Sequence, residues 1–181
     1  MSDPLLEVFL AGQEQKGLAF AAQCDRLDLV PLKPLRRHGP VDRYLAHFNC
    51  RGLVRDRTGN VLEAESFKVG IRFPEHYLHV ANPFEVFCLM EPANTFLPNV
   101  NAPFVCTGPL DPGTELVSLL YRVSDVLTGR KLTTKESDAL NPLACAWARE
   151  HMPRFPVDNR PLRRAAVDWR VEDVDDTGRD S

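Results

Sequence analysis

The sequence predicts an α+β fold in which strands come first and helices follow. Residues 44–50 and 67–73 each place apolar side chains at alternate positions, the pattern of a half-buried strand. Residues 116–127 instead repeat leucine and valine at helical spacing. Because the strands are grouped and do not alternate with helices, a doubly wound parallel sheet is not expected. The predicted order is an N-terminal helix, a four-stranded antiparallel meander, an irregular loop and two C-terminal helices.

The first predicted elements are a helix over residues 4–23 and a short strand within 27–40. Asp3 suits the N-cap of this helix, and Pro4 suits its first turn. The short strand is expected to run into a loop, because prolines collect after it. The Thr-Gly-Asn sequence at 58–60 predicts a turn before the next strand.

The last strand and the two C-terminal helices follow. Residues 84–90 form an apolar run that completes the predicted meander. The helix over 116–127 is expected to stop at Thr128-Gly129, because glycine commonly follows the last helical residue. A second helix is expected from about 137 to 151. Its predicted buried face consists of Leu140, Leu143, Ala144 and Trp147.

Length and composition predict one domain with a tail. The 181 residues fit a single domain, which we place at 1–155, followed by a C-terminal extension at 156–181. The acidic end of the extension has few apolar residues, so we expect it to be disordered and dispensable for folding. Trp169 is the residue of this extension best suited to dock on the body or on a partner.

Charge, hydropathy and cysteine usage narrow the possible partners. The net charge of −3 gives no basic surplus for nucleic acid. No apolar run approaches the ~20 residues of a membrane span, and the first residues lack a signal-peptide pattern. The five cysteines are scattered without a Cys-x-x-Cys pair, which argues against a zinc site and a disulfide framework. We therefore expect a cytoplasmic protein that binds neither nucleic acid nor membrane.

One irregular stretch carries the candidate chemistry. Residues 83–108 read PFEVFCLMEPANTFLPNVNAPFVCTG and deliver Cys106 from a loop, where functional side chains are often held by a rigid scaffold. Leu97-Pro98-Asn99 precedes Cys106, which stands seven residues after Asn99. This arrangement resembles the active site of the ubiquitin-conjugating enzymes, in which a His-Pro-Asn motif is followed by the thioester cysteine.

The resemblance extends over residues 4–152 and is best over 67–151. Leu97 stands where the family has histidine, which is expected to remove a structural hydrogen bond. The family's tryptophan after the cysteine is missing, the segment after Cys106 is short, and no clear fourth helix follows. Such shortened chains resemble the bacterial members, which occur in operons with an activating enzyme, a ubiquitin-like protein and a metal-dependent peptidase, some of them antiphage systems. The resemblance also includes the residues that lead to the last strand. The family has the progression Phe-Pro, Tyr-Pro and Pro-Pro-x-Val there. This chain has the similar sequence Phe73-Pro74, Tyr77 and Asn82-Pro83-Phe84-Glu85-Val86.

The resemblance implies a protein-modifying enzyme with a ubiquitin-conjugating fold. Cys106 would accept a ubiquitin-like protein as a thioester from an activating enzyme and pass it to a lysine of a protein substrate. A cysteine suits this role because sulfur is a strong nucleophile. The first helix would be the docking surface for the activating enzyme. No cofactor is implied, because the activating enzyme consumes the ATP.

Each candidate site residue also has a purely structural interpretation. Asn99 would donate a hydrogen bond to the oxyanion of the reaction, or it is a turn residue that organises the loop. Asp138 would orient and desolvate the incoming lysine, or it caps the following helix. Cys106 could be a small buried apolar residue, as free cysteines often are. That structural interpretation is preferred for Cys24, Cys50, Cys88 and Cys145, which are expected on the faces of helices or strands.

Two alternatives remain open at the level of function. The first is an inactive scaffold of the same fold, which would hold a ubiquitin-like protein without carrying it. The second is a cysteine hydrolase in which His76 or His79 pairs with Cys106, although no protease signature surrounds the cysteine. His76-x-x-His79 is also a weak metal pattern without a third ligand at a suitable spacing.

Overall fold

The structure is an α+β fold in which helices flank an antiparallel sheet, and the predicted class is confirmed. The computed structural model describes residues 3–33 and 39–163. None of the helices in these ranges is long and apolar enough to cross a bilayer. In chain order the elements are α1 (Pro4–Ala21), β1 (Leu27–Pro31), β2 (Arg43–Phe48), β3 (Gly52–Arg55), β4 (Val61–Ala64), β5 (Phe67–Arg72), α2 (Pro83–Val86), β6 (Phe87–Glu91), β7 (Val100–Asn101), β8 (Phe104–Val105), α3 (Leu116–Leu127) and α4 (Pro142–Glu150), with short 3-10 turns at Glu136–Asp138 and Met152–Arg154.

The central sheet has four antiparallel strands in the order β1-β2-β5-β6. Its inner face is formed by the alternate apolar residues that predicted the strands, and their side chains are buried. These residues also pair across the sheet, so each row of the inner face is apolar. The rows of β2 and β5 are Tyr44 with Ile71, Ala46 with Val69 and Phe48 with Phe67.

A separate hairpin, β3–β4, is inserted between β2 and β5, and the sequence did not predict its strands. Each strand has four residues, and β4 has no buried position, so the pattern lacks the alternation of a half-buried strand. The predicted turn at 58–60 lies at the tip of this hairpin. There Asp56 accepts hydrogen bonds from the backbone of Thr58 and Asn60, at 2.9 and 2.8 Å.

The predicted strand at 84–90 is wrong over its first residues, which form the single helical turn α2. Asn82 explains this turn, because its side chain accepts a hydrogen bond from the backbone N–H of Phe84 at 3.1 Å. Pro83 then occupies the first helical position, where a missing N–H is tolerated. The strand itself begins at Phe87 and ends at Glu91.

Helices α1 and α3 lie against each other behind the sheet. Asp3 caps α1 as predicted, accepting from Leu5 N at 2.9 Å. The N-terminus of α3 lacks a cap from its own neighbour Glu115 and instead uses buried Gln13 of α1, whose Oε1 accepts from Leu116 N at 2.8 Å. Gly17 permits this approach, because a Cβ there would lie 2.5 Å from Leu116 Cδ2.

The last helix is shorter than predicted. Asn141 and Pro142 start α4, with Asn141 Oδ1 accepting from Ala144 N at 3.1 Å, so residues 137–141 precede the helix. Of the predicted buried residues, Ala144 is buried but Leu143 is 67% exposed. The inward face is formed instead by Ala144, Cys145 and Ala148, with Leu140 and Trp147 only partly buried.

The two C-terminal helices differ in what they pack against. Helix α3 contributes its apolar stripe to the central core. Helix α4 instead lies over the irregular loop and the short segment after α4, because Trp147 contacts Phe96 and Phe155 edge-on. A salt bridge from Arg149 to Glu136 also holds α4 to the 3-10 turn before it.

Residues 156–163, where the predicted extension begins, pack on the body. Val157 and Leu162 are buried in the core, and Val157 N donates to Thr128 O at 2.8 Å. Asp158 is fully buried, and it accepts from Arg51 N at 3.0 Å and from Arg160 Nη2 at 2.6 Å. The remainder of the extension, with its acidic end and Trp169, lies outside the described residues.

Gly52→Ala is expected to destabilise the fold by about 1–3 kcal/mol, the usual cost of overpacking a core. A Cβ at Gly52 would lie 2.6 Å from the backbone oxygen of Leu127 and 2.6 Å from Phe67 Cζ. Gly12→Ala is the matched control, since no atom lies within 4 Å of its Cβ position and it lies inside α1. This control should gain about 0.5–1 kcal/mol, because alanine favours helix more than glycine. Urea unfolding of both variants checks the opposite signs, and equal effects would contradict the packing at Gly52.

Asp158→Asn is expected to lower the free energy of unfolding at neutral pH by about 1.5–3 kcal/mol, the range for hydrogen bonds to charged groups. The hydrogen bonds from Arg160, followed by those from the backbone, hold the pKa of Asp158 well below its ordinary value of 3.8. The unfolded chain therefore binds the proton more readily, and the stabilisation present above that value is lost as pH falls below it. Unfolding measured from neutral to strongly acidic pH should show the difference between wild type and variant shrinking. A difference that does not depend on pH would contradict this assignment.

Candidate functional site

The loop that carries Cys106 is anchored by buried apolar residues on both sides of the Pro-Asn sequence. Leu97 is fully buried in the core, so its side chain packs against apolar neighbours and does not face the solvent. Val100 and Val105 are also fully buried and pair with each other in the small β7–β8 ladder. Cys106 follows this ladder directly, and its backbone N–H donates to Asn99 O at 2.8 Å. The position of Cys106 is therefore fixed although it lies outside the central sheet.

The side chain of Asn99 links Cys106 to a segment much later in the chain. Asn99 is 3% exposed, and its Nδ2 donates to Cys106 O at 3.2 Å and to Thr133 Oγ1 at 2.9 Å. Its Oδ1 accepts from Thr133 N at 2.8 Å. An amide has two N–H donors, and both are used here. The sequence predicted that Asn99 and Cys106 belong to one site. The structure brings them together by the bond from the Asn99 side chain to the backbone carbonyl of Cys106.

The segment after α3, residues 131–141, lies along the Cys106 loop. Lys131 Nζ donates to Thr107 O at 2.6 Å, and Asn141 N donates to Pro98 O at 3.1 Å. Cys145 Sγ adds a contact to Thr133 O at 3.2 Å. Together with the Asn99 bonds to Thr133, these contacts fix the segment at both ends against the loop.

Asp138 lies in this same segment, in the exposed 3-10 turn between the contacts of Thr133 and Asn141. Its carboxylate accepts from Ser137 Oγ at 3.1 Å, and its backbone N–H donates to Lys135 O. The structure therefore brings the backbone around Asp138 to the loop, while the hydrogen bonds described for Asp138 are local. It does not cap α4, because Asn141 has that role.

The five cysteines differ in accessibility. Cys106 is partly exposed, whereas Cys24, Cys50 and Cys145 are buried as predicted. Cys145 lies on α4, but Cys24 and Cys50 lie just after α1 and β2, so their predicted place on a helix or strand face is wrong. Burial raises the pKa of Cys50 to about 12, with the nearby charge of Asp158 adding to the effect. Burial likewise raises the pKa of Cys24. These two thiols are therefore poor nucleophiles.

Cys88 departs from its predicted place in the core. It lies on β6, but it is exposed, with its sulfur 3.8 Å from Met90 Sδ. The reason is register, because the inner positions of β6 are occupied by Phe87 and Leu89. Accessible thiols thus occur both on the outer sheet face and on the loop.

The two histidines proposed for a hydrolase contact carboxylates of other segments. His76 Nε2 lies 3.0 Å from Glu85 Oε2, and His79 Nε2 lies 3.8 Å from Asp3 Oδ2. Within residues 3–33 and 39–163, no three His, Cys, Asp or Glu side chains form a group suited to a metal ion. The described contacts therefore give neither a Cys106-His pair nor a metal centre.

The surroundings of Cys106 are open and partly aromatic. Phe104, two residues earlier, is 48% exposed and meets the exposed ring of Phe84 edge-on. On the other side of the β7–β8 turn lies an open groove of about 560 Å³ between the tip of the β3–β4 hairpin and the start of α4. Arg55, Asn94, Asn101 and Leu143 are among its lining residues. A protein chain can therefore approach this loop from solvent.

The sequence did not identify Thr133 and Lys131 as parts of this site. Both stand in the polar run that follows α3, which carries no motif of its own. Their contacts join residues 34 and 24 positions apart, so no local spacing could have revealed them.

Comparison with protein-family models and with curated proteins gave no match to the chain.

Asn99→Ala is expected to destabilise the fold by about 1–3 kcal/mol, because buried partners lose their hydrogen bonds. Thr133→Val is the matched comparison, since it removes one acceptor and leaves Asn99 bonded to Cys106 O. It should therefore cost less, about 1 kcal/mol. Chemical unfolding of both variants checks this order. A larger loss in Thr133→Val would contradict the central place of Asn99.

Proposed function

We propose that the chain is a ubiquitin-conjugating-like enzyme. It accepts a ubiquitin-like protein as a thioester on Cys106 from an activating enzyme and transfers it to a lysine of a protein substrate. The observation that carries the proposal is the bond from Asn99 Nδ2 to the backbone of a partly exposed Cys106. This contact joins the two residues that the resemblance pairs, and it presents the thiol on a fixed loop beside solvent.

The chemistry requires two acyl transfers at one sulfur. The Cys106 thiolate attacks the thioester held by the activating enzyme, forms the new C–S bond and releases the thiolate of that enzyme. A lysine amine then attacks the Cys106 thioester, the C–S bond breaks, and the amine proton passes to water. Cysteine suits both steps because it is a strong nucleophile and its thioester reacts with amines.

Asn99 and Asp138 have supporting roles in this proposal. The contacts of Asn99 favour organisation of the loop, because both amide N–H groups already have acceptors. For Asn99 to donate to the oxyanion as well, its longer bond to Cys106 O would have to open during the reaction. Asp138 is exposed beside the loop, where its carboxylate would orient the incoming lysine.

The arrangement of elements also supports the proposal. An N-terminal helix, an antiparallel meander, the Cys106 loop and then a helix follow in the order expected of the ubiquitin-conjugating fold. The β3–β4 hairpin is an insertion into that order. By analogy with the shortened bacterial members of the ubiquitin-conjugating family, we propose that the protein belongs to a bacterial conjugation system. Some systems of this kind act against phage.

Helix α1 offers a surface for the activating enzyme. Leu5 and Val8 are 72% and 74% exposed, and their spacing of three residues puts them on one face of the helix. Large apolar side chains this exposed favour contact with another protein. The exposed Leu5 and Val8 are separate from the buried positions of α1, which include Gln13 and Gly17 against α3.

Incubation with the cognate activating enzyme, ATP and ubiquitin-like protein is expected to give an adduct that a thiol reductant removes. Cys106→Ala should abolish the adduct, and Cys106→Ser should leave only a slower, thiol-resistant oxyester. Cys88→Ser is the matched control, because Cys88 is also an exposed thiol, and its loading should be normal. Reducing and non-reducing gels with intact-mass measurement record the result.

Two outcomes would redirect the functional assignment. Thiol-labile loading of Cys106→Ala would reject Cys106 as the carrier. Tight binding of the ubiquitin-like protein without any adduct on the wild-type chain would instead favour the inactive scaffold.

Loss of loading in Leu5→Ser or Val8→Ser, with an unchanged melting temperature, would support docking of the activating enzyme on α1.

A further inference from the structure

Acyl transfer at Cys106 creates an oxyanion that needs a hydrogen-bond donor. The side chain of Asn99 has no free N–H to supply one, because both are already bonded. When a nucleophile attacks the thioester carbonyl, its oxygen gains a full negative charge. One N–H of Asn99 is bound to Cys106 O and the other to Thr133 Oγ1. The Asn99 side chain is also 3% exposed and held by its Oδ1, so it cannot swing towards the thiol without losing these bonds.

Lys131 places a positive charge beside the peptide that follows the one bonded by Asn99. Its Nζ lies 2.6 Å from Thr107 O, the carbonyl of the residue that follows Cys106. The ammonium also lies over Gly108, where a Cβ would come within 2.8 Å of Nζ. At its base, Lys131 N donates to Asp125 O of α3 at 2.9 Å, so the side chain starts from a fixed point.

The ammonium retains the capacity to bind a second group. It carries three N–H donors, and the bond to Thr107 uses one of them. Lys131 is exposed, so its remaining N–H donors are open to solvent beside the residue that follows Cys106. A lysine on a flexible stem can keep one bond to a carbonyl and turn another N–H to a nearby oxyanion.

We propose that Lys131 is a further catalytic residue, whose ammonium stabilises the oxyanion of the acyl group on Cys106. The inference rests on the proposed acyl transfer. In the transfer step, the amine lone pair forms the C–N bond, and the carbonyl oxygen becomes the oxyanion beside Lys131. Collapse restores the C=O bond, breaks the C–S bond and expels the Cys106 thiolate, while the amine proton goes to water. Lys131 keeps its own proton throughout.

The test uses a small acyl donor that requires no partner protein. N-acetyl-glycylglycine, as the thioester of 2-mercaptoethanesulfonate, is exchanged onto Cys106 of a Cys88→Ser chain, which leaves Cys106 as the accessible thiol among the described cysteines. After removal of excess reagent, free lysine is added, and loss of the acyl group is followed by intact mass. The variants are Lys131→Met, Lys131→Arg and the control Lys135→Met, an exposed lysine of the same segment.

Lys131→Met is expected to slow discharge by about 10-fold, which is less than the ~10²–10³-fold loss at an enclosed oxyanion hole because this site is open to water. Lys131→Arg should restore most of the rate, since it keeps the charge, and Lys135→Met should match the wild type. The ratio of wild-type to Lys131→Met rates should fall as salt is added, because the charge acts through partly exposed space. A purely structural bond to Thr107 O could also be restored by arginine, but it would not give this salt dependence of the rate ratio.

Three results would overturn the role of Lys131. These are wild-type discharge rates in Lys131→Met, an arginine variant as slow as the methionine variant, or peptide mapping that finds the acyl group on Lys131 Nζ as the acceptor. Since the donor bypasses the activating enzyme, these failures are separate from failure of the proposed function. If discharge of the small acyl group depends on Lys131 but the activating enzyme gives no adduct on Cys106, the role of Lys131 stands and the conjugation pathway is overturned.

Discussion

The hydrogen bonds of the Asn99 side chain are the constraint on which the geometry around Cys106 depends. One buried amide joins the backbone of the cysteine to Thr133, which lies beyond α3. Because all three bonds are made inside the protein, removing the amide would leave buried polar partners unsatisfied. The contact therefore fixes the loop and the following segment as one unit, and it brings the region of Lys131 and Asp138 beside Cys106.

This unit rests on a core whose elements approach each other closely. Gln13 of α1 caps the start of α3, and Gly17 and Gly52 lack the side chains that would hold those elements apart. The β3–β4 hairpin supports the loop from the other side, since Phe96 N donates to Leu53 O and Arg55 N donates to Asn94 O. Well-packed surroundings of this kind allow an irregular loop to hold a reactive side chain in one position.

The site combines a thiol on a fixed loop with an open approach from solvent. Leu97, Val100 and Val105 anchor the loop in the core, while Cys106 itself is partly exposed between Phe104 and the segment of Lys131. The proposed carrier function requires this combination, because the donor protein and the substrate protein are both large and arrive from solvent. A cysteine buried like Cys50 would be both inaccessible and harder to ionise.

The sequence by itself determined the elements whose pattern is local. Alternating apolar residues predicted β2 and β5, the leucine stripe predicted α3, and Asp3 with Pro4 predicted the start of α1. The proximity of Asn99 and Cys106 could also be predicted, because the two residues are only seven positions apart and the spacing resembles a known motif. Tertiary structure decided what depends on distant partners or on register. It alone placed Thr133 and Lys131 at the loop, turned Cys88 and Leu143 outward, and folded the β3–β4 hairpin, because each outcome depends on contacts between segments far apart in the chain.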